Sequence, residues 1–208
     1  TKQQGEAIVD VTTHLVDLVQ WSLFPEQTLK RSDVNIVSAR IWNTPISAAD
    51  YEKSTGLKEW PKYLRPSVDK DNVLQCKANG EFTYTLRGVH AKVSVEWHFM
   101  PPAGTGDTHY SHMRGSNAEL VIRQGPVQGF KPVLYVKLRP GADKAATEKA
   151  LDAALAKICV KYPGIKAVSA NGEEDGAEWK ISVPKKYDIG HEAHFSQVMQ
   201  QFLEWMKA

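Results

Sequence analysis

Asp10, His14, Asp17 and Trp21 stand at i, i+4, i+7 and i+11 of one stretch near the start of the chain, Glu6 to Trp21. On a helix that spacing aligns all four along one face. A carboxylate one turn before an imidazole fixes its tautomer and stabilises its cationic form, which is what a proton-transferring histidine needs. The competing reading of the same spacing is a solvated Asp–His pair worth roughly 0.3 kcal/mol.

The other histidines form weaker patterns. His109 and His112 fall in the strand-like run Thr108 to Arg114. Three residues apart on a regular strand, they lie on opposite faces, so they cannot share a ligand, although the run could border a site. His191-Glu192-Ala193-His194 has i, i+3 spacing, whereas the zinc-protease helix uses i, i+4 with a Glu between. It reads as a first-turn surface pair.

The elements that must position these residues follow from periodicity. Gly5 precedes the first helix and Pro25 ends it, giving about five turns. Val11, Leu15, Leu18 and Val19 mark its expected buried stripe, and Trp21, near the apolar C-terminal end, reads as core. Val34 to Trp42 has strand character and Pro45 breaks it. Ser47 to Asp50 is a capping box opening a helix to about Ser54, stopped by Gly56. Leu57 to Asp71, with no sustained period, reads as a long ordered loop of the kind that often serves function. Val73–Lys77 and Phe82–Leu86 flank Asn79-Gly80, a hairpin signal, and His90 to Phe99 alternates. In that last run His90, Lys92, Ser94, Glu96 and His98 make one polar face, a composition suited to a wet interface between copies.

Pro101-Pro102 and Gly104-Thr105-Gly106 make a break, followed by strands Thr108–Arg114 and Ala118–Arg123. Gln124 to Gly129 is the expected internal boundary, separating a body of residues 1–125 from a part spanning 131–208. That part reads as strand Val133–Leu138, helix Asp143–Lys161, strands Ile165–Ala170 and Glu178–Val183 around a turn through Asn171-Gly172 to Gly176, and helix His191–Lys207. The closing helix carries Phe195, Val198, Met199, Phe202 and Met206 on its expected inner face. The whole predicts an α+β fold: an open, mainly antiparallel sheet with the N-terminal helix on one face, plus a β-α-β-β-α part that extends the sheet or stands as a small lobe.

Composition narrows the partners. The 208 residues suffice for one sizeable domain or two small ones, and 42% hydrophobic with 24% charged residues is ordinary globular usage. A net charge of +2 with both signs spread throughout argues against nucleic acid or an anionic membrane as partner. No apolar run approaches the ~20 residues of a membrane span. Cys76 and Cys159 are the only cysteines, so neither a disulfide framework nor a cysteine zinc site is implied. A Gly-rich strand-turn-helix for a dinucleotide is missing, and Gly104-Thr105-Gly106 does not open a helix.

The run Asp10-Val11-Thr12-Thr13-His14-Leu15-Val16-Asp17 with Trp21 resembles the D-x-G-x-H-x-x-D-x-x-x-W helix of the Gfo/Idh/MocA oxidoreductases, with Thr12 in place of Gly. That helix opens their C-terminal, substrate-binding half. The similarity extends to about residue 125; beyond it, the pattern is closest to oxidoreductase C-terminal domains of that superfamily. The resemblance implies that His14 exchanges a proton with a substrate hydroxyl, that Asp10 binds the substrate and tunes His14, and that Asp17 anchors the helix or binds substrate. His109 and His112 are the further candidates for binding. It implies NAD or NADP in the full-length protein, held by an N-terminal Rossmann half outside this sequence. The chain opens on Thr1 without Met, with the motif almost at its terminus, so the expectation is a fragment that binds no nucleotide and is inactive alone. Its expected partners are a sugar-like molecule, its own Rossmann half and a second copy through the sheet. Two other functions fit the residues: a non-catalytic binding or assembly module, and metal-assisted hydrolysis of carbohydrate.

Overall fold

The alternation of apolar and polar residues from Phe82 to Leu86, matched by Ala91 to Val95, decides which way the first sheet faces. The computed structural model describes residues 6, 9, 11–170 and 177–207, the side chain of His191 aside. Its contacts divide into two units, Thr1–Pro101 and Pro102–Ala208. Among the described residues there are four α-helices and two open antiparallel sheets, of three and five strands, so the fold is α+β.

The first unit holds α1 (Thr12–Leu23), β1 (Val34–Ser47), α2 (Ala48–Thr55), β2 (Val73–Leu86) and β3 (Val89–Val95), with sheet order β1-β2-β3. Tyr84, Leu86 and Val93 form its core on one sheet face, and Leu15, Val16 and Val19 of α1 pack against them. Each such aliphatic side chain, if fully buried, contributes roughly 1.5–3 kcal/mol. The helix therefore sits on one face of the sheet, as expected, but turned about its axis. Thr12 is buried, whereas Val11 and Leu18 are 45% and 46% exposed. Apolar residues occur all round this helix, so their spacing alone does not select the inner stripe. The Tyr84 hydroxyl is buried with no hydrogen-bond partner among the described residues, and burial pushes its phenol up.

Two local expectations do not hold. Asn79-Gly80 is not a turn: β2 continues through it, paired with β1 from Val34↔Leu86 to Ser47↔Val73, with a shift of register between Trp42 and Thr44 beside it. The Asn79 amide is buried and tied into the sheet. Its Nδ2 donates to Thr44 Oγ1 at 2.9 Å, and its Oδ1 accepts from the Trp97 N–H at 2.7 Å. The tight turn comes later, at Arg87 (φ 48°) and Gly88 (φ 83°), joining Leu86 to Val89. Two consecutive positive φ angles are the signature of a type I′ hairpin. Pro45 does not end β1 either, because β1 is the outer strand of its sheet and Pro45 can leave its missing N–H on the unpaired side.

The Ser47–Asp50 cap forms as expected, with the Asp50 N–H donating to Ser47 Oγ at 3.1 Å and Gly56 closing α2 at φ 76°. The loop from Leu57 to Asp71 is structural at its centre. Trp60 is buried with Ile46 and Leu74, its ring lies tilted against Tyr51 with centroids 4.4 Å apart, and its Nε1 donates to Asn72 Oδ1 at 2.7 Å.

The second unit holds β4 (His109–Arg114), β5 (Ala118–Gln124), β6 (Val133–Leu138), α3 (Lys144–Lys161), β7 (Lys166–Ala170), β8 (Glu178–Ser182) and α4 (His191–Trp205). Its strand order is β4-β5-β6-β8-β7. Because β5 pairs with β6 from Ala118↔Leu138 to Arg123↔Val133, the turn at 124–129 lies inside this sheet. The break between units falls at Pro101/Pro102 instead. The β-α-β-β-α part thus extends a sheet begun by β4 and β5. Val136, Trp179 and Ile181 form the core, with Leu151 and Leu155 of α3 packed on them. The turn expected through Asn171-Gly172 lies outside the described residues. The expected inner face of α4 is not buried: Phe195, Val198, Met199, Phe202 and Met206 are 51–71% exposed. Helix α3 already covers the apolar side of this sheet.

Candidate functional site

Packing of Thr12, Leu15, Val16 and Val19 toward the first sheet turns the opposite side of α1 outward. His14 and Asp17 are exposed on that side. With them lie Val11, Leu18 and Trp21, the last 70% exposed and therefore not core. From His14 to Trp21 is about 10 Å along the helix axis at the usual rise. One outward face thus carries an imidazole, a carboxylate and an indole, held by a back face locked into the core. Neither the His14 nor the Asp17 side chain makes a hydrogen bond or ion pair with a described residue. Asp10 lies outside the described residues. Chemically, the face offers proton exchange at His14, hydrogen-bond acceptance at Asp17 and a flat apolar surface at Trp21 of the kind that packs on sugar C–H groups.

His109 and His112 lie on β4 in the second unit, on opposite faces as their spacing required. His109 pairs in register with Gln124 and is half-buried on the core side. His112 is on the other face, its Nε2 2.9 Å from Glu119 Oε2. Arg114 Nε and Arg139 Nε approach Glu119 Oε1 at 3.4 and 3.9 Å. Burial pushes the Glu119 carboxyl up, but the hydrogen bond from His112 and the charges of His112, Arg114 and Arg139 outweigh it and hold it below the ordinary range. His112 is therefore paired with an internal carboxylate.

Cross-strand charge networks are what sequence reasoning missed. Beside the Glu119 cluster, Arg123 makes a two-pronged pair with Glu178 at 3.0 and 2.7 Å while stacking 4.6 Å from the Tyr135 ring. On the polar face of the first sheet Glu81 accepts from Arg40 at 2.8 Å and pairs with Lys92 at 3.0 Å, linking all three strands. These contacts hold the Glu81 carboxyl low, Lys92 first and Arg40 second. His90, Lys92 and Ser94 share this face, but β3 ends at Val95, so Glu96 and His98 lie beyond the strand. Alternation within each strand exposes such faces; the register that joins them is not written in local sequence.

Among the described residues no three His, Cys, Asp or Glu side chains converge as a metal site. Nor does Gly104-Thr105-Gly106 open a helix; β4 follows it.

An α1 motif set on an open antiparallel sheet, followed by a helix-backed second sheet, places the chain by class. It belongs to the family described as "Putative oxidoreductase C terminal domain", which matches residues 1–208. Among solved structures it is similar to a putative oxidoreductase from Parabacteroides merdae ATCC 43184, with a TM-score of 0.89 and 47% sequence identity. The match covers 98% of this chain and 46% of that one, so the chain spans less than half of its neighbour's length. No curated protein matches the chain.

Proposed function

We propose that this domain is the substrate-binding half of a nicotinamide-dependent oxidoreductase of the Gfo/Idh/MocA type. Its substrate is a hydroxyl of a sugar, cyclitol or related compound, and a Rossmann half elsewhere in the polypeptide holds the nucleotide. The observation that carries the reading is the outward face of α1, where His14, Asp17 and Trp21 stand in line on a helix whose other side is fixed in the core. On that face the Trp21 indole, 70% exposed, offers a flat apolar surface beside the imidazole.

In this reading His14 takes or gives the proton of the substrate hydroxyl. Asp10 hydrogen-bonds the substrate and steadies the charged imidazole, Asp17 accepts from a second hydroxyl, and Trp21 packs against the ring. The nucleotide, when bound, supplies the hydride acceptor. The described residues of this chain offer no Gly-rich turn at a helix start to hold its pyrophosphate, so that task is assigned to the other half and the chain by itself is inactive.

The test uses the full-length protein, screened against sugars and cyclitols by nicotinamide absorbance. His14→Ala should lower turnover by about 10² to 10⁴, the usual worth of positioned proton transfer, with nucleotide affinity unchanged. A His14→Ala enzyme retaining more than about half its activity at every pH refutes the assignment.

A further inference from the structure

Helix α4 is apolar along one side and polar along the other, yet contributes nothing to the core formed by Val136, Trp179 and Ile181. Val198, Met199, Phe202, Leu203, Trp205 and Met206 are 50–71% exposed. At 100° per residue these six fall within one arc of about 160°. Gln197, Gln200, Gln201, Glu204 and Lys207 occupy the rest. Contiguous exposed apolar surface of this kind marks an interaction site.

Three occupants compete. A membrane surface is disfavoured by charge: the polar side carries glutamines and Glu204, with Lys207 its one cation, where a lipid-binding helix carries a basic face. A second copy is disfavoured by size. Fifteen residues span about 22 Å, and two such helices pairing would bury on the order of 1,000 Å², the low end for a stable intermolecular interface. The same area suffices between domains of one polypeptide, where interfaces of roughly 600–1,500 Å² are normal and effective concentration is high. The solved neighbour has more than half of its chain outside the matched region.

We propose that the apolar side of α4 is the seat on which the remaining half of the full-length polypeptide docks, fixing that half against this domain. The proposal rests on the reading that a nucleotide-binding half accompanies this one, and it names the surface that joins them.

The experiment is hydroxyl-radical footprinting of the full-length protein, reading Met199, Trp205 and Met206 directly, alongside small-angle scattering of wild type and Phe202→Glu. Docking predicts that these side chains oxidise at least about fivefold more slowly than in an unstructured peptide. It also predicts that Phe202→Glu restores fast oxidation and enlarges the radius of gyration of the monomer. Unprotected side chains in the wild type overturn the proposal whatever the variant does. So does protection that vanishes on dilution together with a halved mass, which would assign the surface to a second copy, and so does protection that appears only with lipid vesicles. Calorimetric titration with NAD and NADP separates the two claims: a compact, α4-protected protein that binds neither nucleotide refutes the functional reading and leaves the docking surface intact.

Discussion

Replacing Asn79 with alanine removes an amide that joins β1, β2 and the chain leaving β3. In the folded protein this side chain is 4% exposed. Its Oδ1 accepts from the Trp97 N–H at 2.7 Å and its Nδ2 donates to Thr44 Oγ1 at 2.9 Å. The longer approach to the Trp42 carbonyl, at 3.4 Å, contributes little. Two good hydrogen bonds at about 1 kcal/mol each, plus about 1 kcal/mol for the Trp97 N–H left without a partner, give a loss of about 3 kcal/mol. With a urea slope near 1.5 kcal/mol per molar, the midpoint of the first unit should fall by about 2 M. Urea melts followed by tryptophan fluorescence and far-UV circular dichroism read that shift. Asn43→Ala is the control, since the exposed Asn43 amide makes only a 3.4 Å contact to Gln75 and should shift the midpoint by less than about 0.3 M. If Asn79→Ala also moves the midpoint by less than about 0.3 M, water substitutes for the amide and the hold of Asn79 on the three strands is refuted.

Two further outcomes follow from the charge networks. Glu119 is held low in the folded state, so its contribution is present above the unfolded glutamate range and is lost as pH falls through the folded value. Wild type should therefore lose stability relative to Glu119→Gln between about pH 4.5 and the lower folded value, and a carboxyl titration by NMR that finds Glu119 at or above the ordinary value would contradict this. On the first sheet, we propose that the polar face carrying Arg40, Glu81 and Lys92 pairs with a second copy. Lys92→Glu places two carboxylates together and should lower the mass seen by light scattering at high concentration; a monomeric wild type refutes the pairing.

Much of the fold is legible in the sequence because its signals are local. The Ser47–Asp50 cap, the strand Val133–Leu138 and the helix ending at Lys161 emerge where residue type and spacing put them. What is not legible depends on partners distant in sequence. Asn79-Gly80 carries the best turn dipeptide of the region, but β1 pairs with β2 on both sides of it and Thr44 and Trp97 engage the amide, so the tertiary bonds overrule the local preference. Arg87-Gly88, the real turn, has a less familiar composition and sends a weaker local signal. Pro45 reads as a strand end because its tolerance depends on β1 being outermost. In the candidate site, the shared face of His14 and Asp17 is readable from helical geometry alone. The exposure of Trp21 is not, because apolar residues surround α1 and only the sheet decides which of them it covers.

The two sides of α1 are under separate physical constraints, and this bears on how such a domain can change over generations. Thr12, Leu15, Val16 and Val19 are committed to the sheet, where a truncation opens a cavity and costs about 1–5 kcal/mol. His14, Asp17 and Trp21 are exposed, so substitutions among them fall within the roughly 0.5 kcal/mol typical of surface positions. A lineage carrying this helix can therefore exchange its outward side chains one at a time, acquiring new ligand preferences without first having to gain stability elsewhere.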